Sequence, residues 1–379
     1  MKIVQATIRY YPALGGVEEY VQRLSEGLTA RGNEVCVFTS DLARHTGGLR
    51  KLKNAPGIVG GVRVRRAYTL PWMLRDYSLM PGLPGGLLRE PADLVHGHCF
   101  MSFPMDAACL GARMKKVPFV FSPYFTQRSR PSLPGRLYRK TLGAAAMQAD
   151  CVVVISEFER KMIHQAGYRP KRFALIPPGI DVDKFKGVRH NIYERYGIAG
   201  RRVILFVGRL DANKGVDILL RAAGTLVKRF PDCMFVIAGD DFGARASLES
   251  LTQNLSLEDH VLFTGRLGRE DILSAFKHAS VFAFPSLYEA FGIVLIEAMA
   301  AGTAVVASDS SAIPYVVDEG RTGLLFPSGD ARALAERIAL VLGDGRLRAS
   351  LVEAASRSVL AGYDWRRTVS RTQELYESI

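Results

Sequence analysis

The chain has five cysteines in 379 residues (Cys36, Cys99, Cys109, Cys151, Cys233). No two stand at metal-ligand spacing and several sit inside apolar runs, which argues against a zinc site or a disulfide framework and for reduced, buried thiols in a cytoplasmic protein. A charged leader followed by a long apolar core is also missing. The opening MKIVQATIRYYP reads as a short strand, so the protein is expected to stay inside the cell. Internal repeats and low-complexity tracts are absent. The most apolar stretch, residues 290–307, carries Glu297 in mid-run and breaks at Ala-Gly-Thr into a helix and a strand, which excludes it as a membrane span. The dinucleotide fingerprint G-x-G-x-x-G is lacking, which weakens a nicotinamide-cofactor reading. Asp181 and Asp183 resemble a metal-binding pair but lie in a Pro-Gly linker where Asp serves turns and caps; no metal and no cofactor are expected.

What the chain has is a regular alternation. Short β-branched runs recur at 2–8, 34–39, 93–98, 118–122 and 151–156, and again at 203–208, 233–239, 261–265, 281–286 and 304–308, with helical patterns between most of them. That order predicts an α/β protein with parallel sheets built from βαβ units, in two Rossmann-like doubly wound domains. The linker IPPGIDVDKF (176–185) separates them, giving domains at 1–178 and 179–363. The closing segment 364–379 is an amphipathic helix whose Trp365, Val369, Leu375 and Tyr376 need a surface, expected on the first domain.

Charge is unevenly divided. Residues 1–180 hold 26 Lys and Arg against 12 Asp and Glu, while 181–379 hold 24 against 25. A basic first half implies an acidic partner, nucleic acid or an anionic membrane surface. Nothing resembles a nucleic-acid module.

Chemistry concentrates at strand ends. Glu289 and Glu297 bracket EAFGIVLIEAMAAG (289–302). With a helix starting near Gly292, they lie about 12 Å apart or somewhat less. That exceeds the separation of glycoside-hydrolysing carboxylate pairs, roughly 5–9.5 Å, and suits a diphosphate-linked sugar. Glu297 is placed for ribose hydroxyls, and Glu289 with the amides after it for a hexose and phosphates, since free N–H groups at a helix N-terminus suit an anion. Arg209 and Lys214 follow the strand VILFV, where a guanidinium and an ammonium match a diphosphate. Gly15 and Gly16 follow the first strand and admit either a phosphate or an ordinary tight turn. His96 and His98 end the strand DLVHGH, and His98 is a candidate to hydrogen-bond a sugar or stabilise charge.

Taken in order, GGVEEYV (15–21), DLVHGH (93–98), VVVISEFE (152–159), IPPGID (176–181), FVGRLDANKG (206–215), VIAGDDFG (236–243), VLFTGR (261–266) and PSLYEAFGIVLIEAMAAGTAVVAS (285–308) resemble the retaining, nucleotide-sugar-dependent glycosyltransferases of the GT-B fold, family 4 type. The resemblance spans nearly the whole chain. It implies a UDP- or GDP-sugar donor, with Gly16 on the distal phosphate, Arg209 and Lys214 on the leaving diphosphate, and Glu297 on the ribose. It implies Glu289, with the backbone amides of Ala290, Phe291 and Gly292, on the transferred sugar, His98 beside sugar and acceptor, and the backbone near Arg266 and Leu267 at the base. No metal is implied for catalysis. The sequence departs from the family at SPYFTQRSRP (122–131), where many relatives carry a histidine.

The acceptor expectation is a lipid-linked or glycan hydroxyl reached by a peripheral enzyme on the inner face of an anionic membrane. Basic clusters at Arg63, Arg65 and Arg66, at Arg113, Lys115 and Lys116, and at Arg128, Arg130, Arg136, Arg139 and Lys140 accompany the apolar stretch 68–88. The alternatives are a nucleotide-sugar 2-epimerase, which needs no acceptor, and a noncatalytic nucleotide-sugar or nucleic-acid binding protein.

Overall fold

A computed structural model describes residues 1–13, 15–44, 50–52, 55–70, 73–74, 77–125 and 133–379. Arg128, Arg130, the 126–131 part of the departing segment, and residues 71, 72, 75 and 76 of the apolar stretch lie outside the described residues. The chain forms two compact units, Met1–Pro178 with Trp365–Ile379, and Gly179–Asp364.

The first unit holds an eight-stranded sheet. Its strands are β1 (Lys2–Ala6), β2 (Glu34–Ser40), β3 (Ile58–Val59), β4 (Val62–Ala67), β5 (Leu94–His98), β6 (Phe119–Ser122), β7 (Cys151–Val154) and β8 (Phe173–Leu175), in the order β8-β7-β6-β5-β1-β2-β4-β3. All neighbours are parallel except the β3–β4 hairpin at the edge. Alternation along each strand feeds two cores. Val4, Val95, Phe119, Phe121, Val152 and Val154 enter one, and Ile3, Leu94, Val120, Cys151 and Val153 enter the other. With both faces covered, most inner strands are apolar on both sides and read as continuous hydrophobic runs, while Gln5 of β1 and His96 and His98 of β5 are buried polar exceptions.

Helices of this unit include α1 (Gly16–Ala30), α2 (Gly82–Arg89), α3 (Phe103–Lys115), α4 (Leu133–Lys140) and α5 (Leu142–Ala146). The last helix of the chain, Trp365–Glu377, lies on α1. A β-carbon added at Gly27 of α1 would stand 2.5 Å from Val369 Cγ2, so the missing side chain lets these helices approach. Thr368 Oγ1 donates to the Pro177 carbonyl at 3.1 Å, and Trp365 packs its ring 5.5 Å from that of Tyr20.

The second unit holds six parallel strands: β9 (Arg202–Val207), β10 (Cys233–Ala238), β11 (Val261–Gly265), β12 (Val281–Phe284), β13 (Ala304–Ser308) and β14 (Leu324–Phe326). Their order, β11-β10-β9-β12-β13-β14, switches direction between β9 and β12. Ligands bind such sheets at the carboxyl ends of the strands beside that switch. No helix among the described residues is long and apolar enough to cross a membrane.

Candidate active site

In the second unit the loops after β9, β10, β11 and β12 are laced to one another by backbone hydrogen bonds. Leu210 N–H donates to the Asp240 carbonyl (2.8 Å), Gly239 N–H to Gly265 (2.9 Å) and Leu287 N–H to Asn213 (2.7 Å). The loops are therefore a connected surface, which holds side chains far apart in sequence in fixed register. Gly215 closes the first loop at φ 63°, and a β-carbon there would meet the Pro285 carbonyl oxygen at 2.2 Å.

Lys214 precedes that glycine and forms an ion pair with Glu289, from the loop after β12, with both side chains mostly buried. Ser286 Oγ stands 3.5 Å from the same carboxylate oxygen. Arg209 is by contrast 60% exposed, 3.5 Å from Asp211 and with its guanidinium 5.1 Å from the ring centre of Phe242. Arg209 thus stays largely in solvent, while Lys214 is mostly buried against its partner.

Gly292 takes φ 88° and caps the helix Ile293–Ala300. Left-handed backbone at that point is natural to glycine, and it turns the chain from the Glu289 loop into the helix. Ala290 is half-buried and Phe291 is buried, its ring packed edge-on against Tyr363 at 5.8 Å. Glu297, in the second turn, is 7% exposed and accepts a hydrogen bond from Arg269 Nη1 at 2.6 Å. Arg266 is exposed, 3.4 Å from Asp240, and Leu267 follows half-buried.

The structure thus brings Lys214 and Glu289 into contact, with Arg209 on the same loop as Lys214. It gives Glu297 and Arg266 partners that the sequence does not announce: Arg269, 28 residues before Glu297, and Asp240.

In the first unit, Gly15 and Gly16 are exposed at the start of α1, and Gly15 provides no side-chain cap. Space around Gly16 is open, with nothing within 4 Å of where its β-carbon would be. Two residues on, Glu18 is buried and accepts from Arg9 Nε at 2.5 Å, a pair the sequence reading missed.

His98 lies in the interior of this unit, with no exposed surface. Its Nε2 is 2.6 Å from Gln5 Oε1 and its Nδ1 3.2 Å from the Tyr124 hydroxyl, whose ring stacks on it. His96 contacts the Tyr376 hydroxyl (2.5 Å) and Ser122 Oγ (2.8 Å), and Gln5 Nε2 donates to Tyr376 (3.2 Å). Read as a network, each imidazole carries its proton on Nε2, with Tyr376 donating to His96 and Tyr124 to His98. Burial pushes the His98 imidazole down to about 3, and holds His96 well below its ordinary value with His98 adding to the effect. Both rings are neutral and fully hydrogen-bonded. Both His98 nitrogens, expected beside sugar and acceptor, are engaged within the unit, by Gln5 and Tyr124.

A profile of the "Glycosyl transferases group 1" family matches residues 189–358, and one of "Glycosyltransferase Family 4" matches residues 14–184. A D-inositol 3-phosphate glycosyltransferase of Kineococcus radiotolerans is 30% identical, the match covering 96% of this chain and 90% of the relative. The chain belongs to the group 1, family 4 type glycosyltransferases. The gpi3 subunit of the phosphatidylinositol N-acetylglucosaminyltransferase of Schizosaccharomyces pombe is 27% identical, over 98% of this chain and 79% of that one. Among solved structures, Anabaena Alr3699/HepE in complex with UDP superposes with a TM-score of 0.81 over the whole of both chains at 20% identity, which identifies the glycosyltransferase's fold as GT-B.

Proposed function

We propose that this glycosyltransferase moves a hexose, with retention of anomeric configuration, from a UDP- or GDP-sugar to a hydroxyl of a lipid-linked or glycan acceptor, working at an anionic membrane surface on the cytoplasmic side. The observation that carries the donor half is the Lys214–Glu289 ion pair, set among interlocked loops at the carboxyl ends of β9 and β12. An ammonium and a carboxylate in contact offer adjacent sites for a phosphate and for sugar hydroxyls.

In this reading Arg209 leaves Asp211 to meet the diphosphate, Lys214 turns part of its charge to the departing oxygen, and Glu289 with the amides of Ala290, Phe291 and Gly292 holds the hexose. Glu297 takes the ribose while Arg269 fixes its carboxylate, and the Arg266–Leu267 backbone faces the base. Gly16 leaves room for the distal phosphate. As the bond from the anomeric carbon to the phosphate oxygen breaks, negative charge collects on that oxygen, where fixed cations stabilise it most. The acceptor oxygen bonds to the anomeric carbon on the same face, and its proton passes to the departing phosphate oxygen. No protein nucleophile is needed. His98 holds Gln5 and Tyr124 in place. The relatives named for inositol 3-phosphate and phosphatidylinositol, with the basic first half of this chain, make phosphate-bearing inositols the first acceptors to try.

The test is calorimetric titration of UDP, GDP and ADP into wild type and Glu297→Ala. Binding of one nucleotide that weakens about tenfold or more in the variant, in line with loss of a hydrogen bond to a charged group, supports the site. No binding of any of the three overturns it. Product analysis with the sugar nucleotide alone must leave the sugar unchanged; an epimerised sugar would establish the acceptor-free reaction instead.

A further inference from the structure

Helices α2 to α5 of the first unit carry six bases, Arg89, Arg113, Lys115, Arg136, Arg139 and Lys140, against one acid, Asp106. Even that carboxylate is occupied by the hydroxyls of Tyr77 (2.6 Å) and Tyr138 (2.8 Å). On the same helices Leu110, Met114, Leu133, Leu137 and Leu142 are half or more exposed, Leu133 at 80%. Leu110 and Met114, like Leu133 and Leu137, are four apart and share a helix face. Between α3 and α5 lies a cavity of about 270 Å³ walled by Phe103, Ala107, Leu110, Leu142 and Ala145. Arg113 bridges the two helices beside it, donating to the Ala145 carbonyl at 2.8 Å.

Apolar side chains this exposed, set among bases, mark an interaction surface. A nucleic acid would leave the leucines unused. A symmetric second copy would set the same six bases against themselves. An anionic bilayer uses both kinds of side chain at once, since headgroup phosphates meet the bases while the leucines pass below them.

We propose that the α3–α5 face docks on an anionic lipid bilayer, with Leu110, Leu133 and Leu137 entering its acyl region and the α3–α5 cavity taking a segment of lipid chain. This rests on the membrane half of the reading above and not on the donor site. In sedimentation with vesicles at low salt, the protein partitions onto equal parts phosphatidylglycerol and phosphatidylcholine and not onto phosphatidylcholine alone. Arg136→Gln and Lys140→Gln each weaken that partition about fivefold, and Leu137→Asp weakens it at least as much. A Leu110→Trp variant shifts its emission to the blue, and phosphatidylglycerol brominated along the acyl chain quenches it beyond the background of Trp72 and Trp365. All four positions are exposed or at a cavity mouth, and unchanged melting and UDP affinity will show that the variants fold. The proposal is overturned if wild type ignores phosphatidylglycerol, if Leu137→Asp partitions like wild type, or if light scattering finds a dimer that Leu137→Asp splits. Absence of UDP binding to wild type would count against the donor site and leave this face untouched.

Discussion

Lys214 and Glu289 stand 75 residues apart in the chain and form an ion pair between two loops, each side chain about 15% exposed. If Lys214 meets the donor diphosphate as proposed, Glu289 competes with it for the same ammonium. Neutralising the carboxylate without changing its shape frees the lysine, and the sign of the effect then separates nucleotide from sugar. Glu289→Gln is expected to bind UDP several-fold more tightly than wild type, a gain of about 1 kcal/mol as for other partly exposed pairs. Lys214→Met is expected to bind it at least tenfold more weakly. Calorimetry checks both, and weaker UDP binding by Glu289→Gln would contradict the competition.

If Glu297 meets the ribose as proposed, Arg269 is expected to act through it. Its Nη1 lies 2.6 Å from a carboxylate that is 7% exposed, so the guanidinium fixes which lone pairs of Glu297 face outward. UDP affinity should fall in the order wild type, Arg269→Ala, Glu297→Ala, with the arginine variant losing about threefold and the glutamate variant tenfold or more. Arg269→Lys should recover part of the loss. Equal losses in Arg269→Ala and Glu297→Ala would mean that the arginine touches the nucleotide itself.

The sheets were legible because inner strands of a parallel sheet are buried on both faces, and runs such as VILFV and CVVV announce that without help from the rest of the chain. Gly292 was legible for a related reason, since it ends a loop and begins an apolar helical run. The pairing partners were not legible. Nothing in the local pattern around Glu297 points to Arg269, because that contact is made by helices that only the folded sheet brings together. His98 shows the converse limit. A histidine at a strand end looks the same in sequence whether it opens to a ligand or, as here, turns inward to Gln5 and Tyr124.

The His98 network carries a pH dependence whose sign is fixed. The imidazole titrates at 6.5 when exposed and near 3 when buried in the native protein. Below pH 6.5 the unfolded chain takes up a proton that the native chain refuses, so stability is lost as pH falls from 6.5 toward 3, and nothing changes above 6.5. Between pH 8 and pH 5 this single group should account for about 2 kcal/mol. Urea unfolding at those two values should show wild type losing about that much more stability than His98→Asn. Equal losses would mean that His98 is not held neutral.

The contact between Gly27 and Val369 tests how the closing helix is attached. Alanine at 27 would place its β-carbon 2.5 Å from Val369 Cγ2, well inside contact distance, and overpacking of this kind costs about 1–3 kcal/mol. In a helix interior, alanine otherwise gains about 0.5–1 kcal/mol over glycine. Trimming the valine removes the clash and leaves only the gain. Gly27→Ala should therefore destabilise the wild-type chain and stabilise the Val369→Ala chain, a reversal of sign that only residues in contact produce. Urea midpoints of the four proteins measure it. Limited proteolysis of Gly27→Ala should cut near residue 364 faster than in wild type, because the clash falls where the last helix meets the Gly16–Ala30 helix. If Gly27→Ala destabilises both backgrounds alike, the clash is relieved elsewhere and the close approach of these two helices is not what holds the end of the chain.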